Sequence, residues 1–139
     1  MPRYLLDTNI LIAAIKGAPA IRSRLEGIEA QEIALSPVVL GELQLGVEKS
    51  RLKAANRLAL DSMVGGFVCS PLNEHAARCY GEIRARLESK GQPIGGNDYW
   101  IAAQAIADDL ILVTDNTREF RRVAGLKLEN WLREDQAPR

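Results

Sequence analysis

The sequence predicts an α/β fold in which a central, mainly parallel sheet of four to five short strands is covered by helices on both faces. Three observations lead there. Short, uniformly apolar runs alternate with longer stretches of helical periodicity. Uniform apolarity, as opposed to in–out alternation, implies burial on both faces of a strand, as parallel sheets require. The intervening helical stretches supply the crossovers without which parallel strands cannot be joined.

Tyr4-Leu5-Leu6 reads as the first strand, and residues 10 to 16 as a helix ended by Gly17. Residues 20 to 27 suggest a further short helix, and Ile33-Ala34-Leu35 a second strand. Ser36-Pro37 supplies an N-cap and first helical position. The helix that follows runs to about residue 49, with Val39, Leu43 and Val47 at intervals of four. Another helix covers 53 to 63 and stops at Gly65-Gly66; Phe67-Val68-Cys69 is a third strand. Asn73 opens a long helix to residue 89, closed by Gly91. Gly95-Gly96-Asn97 is read as a turn with Asn97 as N-cap, leading into an alanine-rich helix over 98 to 108. Residues 110 to 114 form a strand, 117 to 122 a helical turn, and 127 to 129 a last edge strand.

Composition narrows the function classes. At 139 residues the chain is expected to form one domain over 1–139, with a real core. Eighteen basic residues balance eighteen acidic ones, so no global charge draws it to nucleic acid or membrane. An anionic partner must be held by a local basic patch or by metal ions. Cys69 and Cys79 could pair in principle, but nothing else suggests a disulfide scaffold, and they are read as small buried thiols of a reducing compartment. The single histidine, His75, has no Cys/His cluster around it, which argues against zinc. It is placed in the first turn of a helix. No run approaches the roughly 18 apolar residues of a membrane span, and Asp7, Asn9 and Lys16 interrupt any signal-peptide core. A cytoplasmic protein is expected.

Four acids occupy informative places: Asp7, Glu42, Asp98 and Asp115. Singly, each has a plain explanation. Asp7 and Asp115 follow strands and can cap the next helix, and Asp98 lies in a first helical turn, where the macrodipole favours an anion. Glu42 is harder to explain, because its helical neighbours are Val38, Val39 and Leu45. An unpaired charge beside an apolar stripe is costly.

Dimensions relate two of these acids. A helix over 98 to 108 rises about 15 Å at 1.5 Å per residue, and a strand over 110 to 114 returns roughly 16 Å. Asp98 and Asp115 therefore share one end of the layer, and Asp7 joins them if the strands are parallel. That end is where open α/β sheets bind ligands. Four converging carboxylates need a counter-charge, and all-oxygen ligation suits Mg²⁺ or Mn²⁺. Asn9, Thr114 and Asn116 add neutral oxygen-bearing side chains beside three of the four.

Four stretches in this order resemble the PIN-domain ribonucleases, in particular the VapC toxins of bacterial toxin–antitoxin pairs, over almost the whole chain. "LLDTNILI" resembles the opening strand and first acid, and "SPVVLGELQLGVEKS" the Ser-x-x-x-x-x-Glu-Leu-x-x-Gly helix with the second. "GQPIGGNDYWIAAQA" resembles the stretch with the third, and "LILVTDNTREFRRVAGLKLENW" the closing signature. The resemblance implies a PIN-like three-layer α/β/α sandwich. It implies that Asp7, Glu42, Asp98 and Asp115 hold one or two Mg²⁺ or Mn²⁺ ions, with Thr114 and Asn9 as polar neighbours. Glu119 matches the Glu of the family's Glu-Phe element.

The implied activity is metal-dependent endonucleolytic cleavage of cellular RNA, transfer or ribosomal, which inhibits translation and growth. A VapB-like antitoxin would neutralise it. A homodimer is also implied, with a higher assembly when the antitoxin is bound. Arg118, Arg121 and Arg122, just after Asp115, are candidates for RNA contact. Arg84, Arg86 and Lys90 are read instead as a solvated face. The apolar stretches 38 to 47 and 58 to 68 are candidates for dimer or antitoxin contact.

Two other classes compete. A phosphoacceptor receiver domain also places acids at strand ends, but it needs a lysine after a late strand, and here none follows Asp115 until Lys127. A non-catalytic RNA- or protein-binding PIN module is the alternative, and the complete acidic quartet argues against it.

Overall fold

A computed structural model of the chain describes residues 1–133. The first strand, β1 (Tyr4–Leu6), feeds directly into α1 (Thr8–Ile15), and α2 (Pro19–Glu26) follows after a tight turn at Gly17. There φ is +85°, a conformation that glycine adopts without strain. A single 3₁₀ turn over Ala30–Glu32, too short to leave a periodic signal, precedes β2 (Ile33–Leu35). Helix α3 (Pro37–Lys49) starts as expected: the Ser36 side chain accepts from Val38 N–H at 3.1 Å, with proline at the first position. Then come α4 (Lys53–Val64), β3 (Val68–Cys69), α5 (Glu74–Ser89), α6 (Gly96–Ala107), β4 (Ile111–Val113), α7 (Thr117–Phe120) and β5 (Lys127–Glu129).

The five strands lie in the order β3-β2-β1-β4-β5, and every neighbouring pair is parallel. Helices flank this sheet in an α/β/α arrangement. Strands β1, β2 and most of β4 are buried, which explains their unbroken apolarity. The core joins Leu5, Leu6 and Leu112 from the sheet to Ile10, Leu11 and Ile101 from the helices. Trp131, fully buried beyond β5, meets Tyr4 edge to face at 5.2 Å.

Topology selects the position of the site. Strand β1 is at the centre, and the chain leaves it for β2 on one side and returns to β4 on the other. The crevice outside the carboxyl ends of β1 and β4 is the switch point at which such sheets take ligands. Register places Leu6 opposite Val113, so Asp7 and Thr114 emerge side by side.

Four local expectations are corrected. Helix α6 begins at Gly96 with Gly95 as N-cap, so Asn97 is inside the helix and not its cap. Strands β3 and β4 are each shorter than expected by their flanking residues. Leu45 is 56% exposed and falls outside the buried stripe of α3, which consists of Val39, Leu43 and Val47. Cys69 is exposed; only Cys79 is buried, and both are free thiols. His75 is exposed in the first turn of α5, and no helix among the described residues is long and apolar enough to cross a membrane.

Candidate active site

The end of β1 is tied to the end of β4 through side chains. Asp7 N–H donates to Val113 O at 2.9 Å, so the ladder continues one residue past the strand. The Asp7 carboxylate then does two things. Its Oδ1 accepts from Thr8 N–H at 2.8 Å, capping α1, and its Oδ2 accepts from Thr114 Oγ1 at 2.8 Å. Asp7 is 5% exposed and Thr114 is fully buried. Asn9 bridges the two strands' ends: Nδ2 lies 3.4 Å from both Asp7 Oδ2 and Thr114 Oγ1, and Oδ1 accepts from Asp115 N–H at 3.1 Å. Thr114 Oγ1 also accepts from Asn116 N–H at 3.0 Å.

The helices bring the other acids. Half-buried Glu42, on α3, accepts from Thr8 Oγ1 at 2.7 Å, so the residue after Asp7 carries a hydrogen bond to the second acid. Asp98 lies in the first turn of α6. A Cβ on Gly95, the N-cap of α6, would stand 3.3 Å from Asp98 Oδ2, so this carboxylate lies close against the start of the helix. Glu119, on α7, accepts from Asn116 Nδ2 at 2.9 Å.

These carboxylates feel one another. Burial pushes Asp98 up to about 6, and the negative charges of Asp7, Glu119 and Glu42 push it the same way. Asp7 is also raised, first by burial, against hydrogen bonds from Thr114 and Thr8, with Glu42 adding repulsion. The expected quartet is thus joined at this end by Glu119, while Asp115 behaves differently. Its Oδ1 accepts from Asn130 Nδ2 at 3.0 Å and from Arg133 Nε at 2.9 Å, and those bonds hold its carboxyl below the ordinary value. The backbone of Asp115 is at the crevice, but its side chain is engaged by the segment after β5. Among the described residues no three carboxylates stand close enough to enclose an ion as they are now arranged.

The arginines divide in the same way. Arg118 and Arg121 are exposed on and just after α7. Arg122 turns elsewhere: it donates to Pro93 O at 2.9 Å and lines a small cavity with Cys79 and Glu82 of α5. Arg84 lies 5.0 Å over the Tyr99 ring and pairs with Glu88, so it is engaged within the protein. Three contributors escaped the sequence reading: Thr8, Asn130 and Arg133. Thr8 lies inside the first motif, but its reach to Glu42 depends on how α1 packs on α3. Asn130 and Arg133 follow the last strand, where no periodicity marks them.

Residues 4–126 match the family model described as PIN domain. The chain belongs to the PIN-domain family. Within it, the chain resembles the VapC type: it is 43% identical over 130 residues to ribonuclease VapC2 of Rickettsia felis, covering 92% of this chain and 97% of that one. It is 40% identical over 132 residues to the tRNA(fMet)-specific endonuclease VapC of Shigella flexneri, covering 94% and 99%. Among solved structures, VapBC of Salmonella typhimurium bound to DNA superposes with a TM-score of 0.89 at 36% identity, over 94% of this chain and 99% of that one. VapBC2 of Rickettsia felis bound to a promoter DNA fragment gives 0.87 at 42%, over 92% and 98%. The all-parallel five-stranded sheet of this PIN domain, with its flanking helices, falls within the mainly parallel sheet of four to five strands that was expected.

Proposed function

We propose that this VapC-type PIN domain is the toxin of a type II toxin–antitoxin pair, an endoribonuclease that depends on a divalent cation at Asp7, Glu42, Asp98 and Asp115. The observation that carries the reading is the cluster at the ends of β1 and β4, where Asp7 and Asp98 are raised by burial and by their acidic neighbours. The donor set is all oxygen and rich in uncompensated negative charge, which fits Mg²⁺ or Mn²⁺ and not a softer ion. One or two such ions, when bound, supply an activated water and neutralise charge on the phosphate and the leaving oxygen.

The residues divide the remaining work. Thr114 and Asn9 fix the Asp7 carboxylate, and Thr8 fixes Glu42. Ligand-orienting partners of this kind set affinity and geometry. Asp98 orients the attacking water through a carboxylate oxygen. Exposed Arg118 and Arg121 hold RNA phosphates beside the site, as position-setting contacts without base readout. Transfer RNA is the favoured substrate, because relatives in Shigella flexneri and Salmonella typhimurium carry the name tRNA(fMet)-specific endonuclease.

A VapB-like antitoxin is the partner, and the solved VapBC relatives support it. A groove of about 310 Å³ between α1, α3 and α4 is lined by Ile12, Leu43, Val47 and Leu60 and has Glu42 at one side. Leu45 and Leu58 add exposed apolar surface on α3 and α4. An apolar segment seated there would cover the second acid. The protein acts as a homodimer of one-domain chains.

Expressing the chain without its antitoxin and mapping new RNA 5′ ends tests the function. Discrete new ends in transfer RNA, absent with Asp7→Ala, are expected. Growth inhibition without new ends, or equal cleavage by Asp7→Ala, would contradict it.

A further inference from the structure

Among the carboxylates at the ends of β1 and β4, Asp115 is set apart by a cation of its own. Arg133 Nε lies 2.9 Å from Asp115 Oδ1, and Asn130 Nδ2 lies 3.0 Å from the same oxygen. Among the described residues no hydrogen bond reaches Oδ2. Asn130 is fixed in turn, because its own Oδ1 accepts from Leu132 N–H at 3.0 Å. Between the two, fully buried Trp131 packs on Tyr4 and donates Nε1 to Glu129 at 2.9 Å. The segment that presents Arg133 is therefore anchored to the sheet.

We propose that Arg133 is a built-in counter-cation that competes with the divalent ion for Asp115, so that the segment after β5 sets how tightly the acidic cluster holds its metal. The proposal rests on the reading that the cluster binds a divalent cation. A guanidinium and a metal ion are like charges drawn to one carboxylate, and each weakens the hold of the other, reciprocally. The two side chains are 59% and 32% exposed, so solvent screening limits the coupling to about two- to fivefold in affinity. Asn130 keeps Asp115 oriented when Arg133 is replaced, so the substitution removes charge and leaves geometry. The two roles thus predict opposite signs. Loss of a residue that merely orients a metal ligand weakens metal binding, whereas loss of a competitor tightens it.

The test is calorimetric titration of Mn²⁺ into the full, antitoxin-free chain after chelation, at low salt. Arg133→Gln is expected to bind Mn²⁺ about two- to fivefold more tightly than the parent. Arg133→Lys should restore the parent affinity, and raising the salt should shrink the gain. In an Asp115→Asn background, Arg133→Gln should change nothing. Affinity equal to or weaker than the parent's in Arg133→Gln, with the parent binding Mn²⁺ and Asp98→Asn not, overturns this proposal alone. Failure of the parent to bind Mn²⁺, or undiminished binding by Asp98→Asn, overturns the metal reading and this proposal together.

Discussion

Asp7 and Asp98 are both raised, first by burial and then by acidic neighbours, Glu42 for Asp7 and Asp7, Glu119 and Glu42 for Asp98, whereas Asp115, past the end of the adjacent strand, has an arginine and an asparagine and is lowered. The three acids match one family motif set, yet their surroundings differ in sign. The β1 side is a store of electrostatic strain that the proposed divalent cation would relieve. The β4 side is already balanced by side chains of the chain itself. Functional sites commonly hold charge that destabilises the fold, and here that cost is concentrated on the β1 side.

The largest expected effect comes from removing acids on the strained side. Asp7→Asn or Asp98→Asn should lower ribonuclease turnover by more than about 100-fold, beyond the usual loss on removing a partner that only orients a ligand. Asp98→Asn should at the same time stabilise the metal-free protein by on the order of 1 kcal/mol in urea titrations, after allowing for solvent screening of a half-buried group. Should Asp98→Asn leave stability unchanged, the two sides would not differ as described.

Next in size is Thr114→Val. At a fully buried position it removes both a donor to Asp7 and the acceptor of the partly buried Asn116 N–H. The expected loss is about 1–3 kcal/mol of stability and roughly 10- to 100-fold in activity. Unchanged values for both would show that Asp7 does not depend on this support.

The pH dependence separates the sides further. Asp98 has a folded value of about 6 against 3.8 as its ordinary one, so its cost is fully present above about pH 6 and is relieved as pH falls toward 3.8. Asp7 acts in the same direction. Asp115 is lowered, so the stability it contributes is present above 3.8 and is lost only as pH falls below that. In EDTA, the melting temperature should therefore rise as pH drops from about 7 to about 4.5, and Asp98→Asn should flatten that rise. A parent profile that falls over this range would contradict the sign. The smallest effect, a few-fold drop in activity, is expected of Thr8→Val, which loses only the hydrogen bond to Glu42.

Much of this was legible in the sequence, and the reasons differ by residue. Strands β1, β2 and β4 announced themselves because burial on both faces forces unbroken apolar runs. Asp7 and Asp115 could be placed because a parallel strand fixes the level of the residue that follows it. Glu42 stood out as a charge beside Val38 and Val39. Side-chain direction was not legible. Nothing in the order of residues shows that Asp115 turns toward Asn130 and Arg133, that Arg122 reaches Pro93, or that Glu119 lies close enough to raise Asp98. Those depend on loop paths fixed by tertiary packing. Gly95 is intermediate: a cap was expected nearby, at Asn97, but the closeness of Asp98 to the capping position is visible only in three dimensions.

If the proposed cation site at Asp7, Glu42, Asp98 and Asp115 is real, RNA cleavage by this PIN domain must depend on a divalent ion and on these acids. Cleavage of a transfer RNA pool by the purified, antitoxin-free chain, titrated with Mn²⁺ beside Asp98→Asn, tests it most directly. Cleavage at discrete positions that rises with Mn²⁺, stops in EDTA and is absent from Asp98→Asn is predicted. Equal cleavage in EDTA, or by Asp98→Asn, would contradict it.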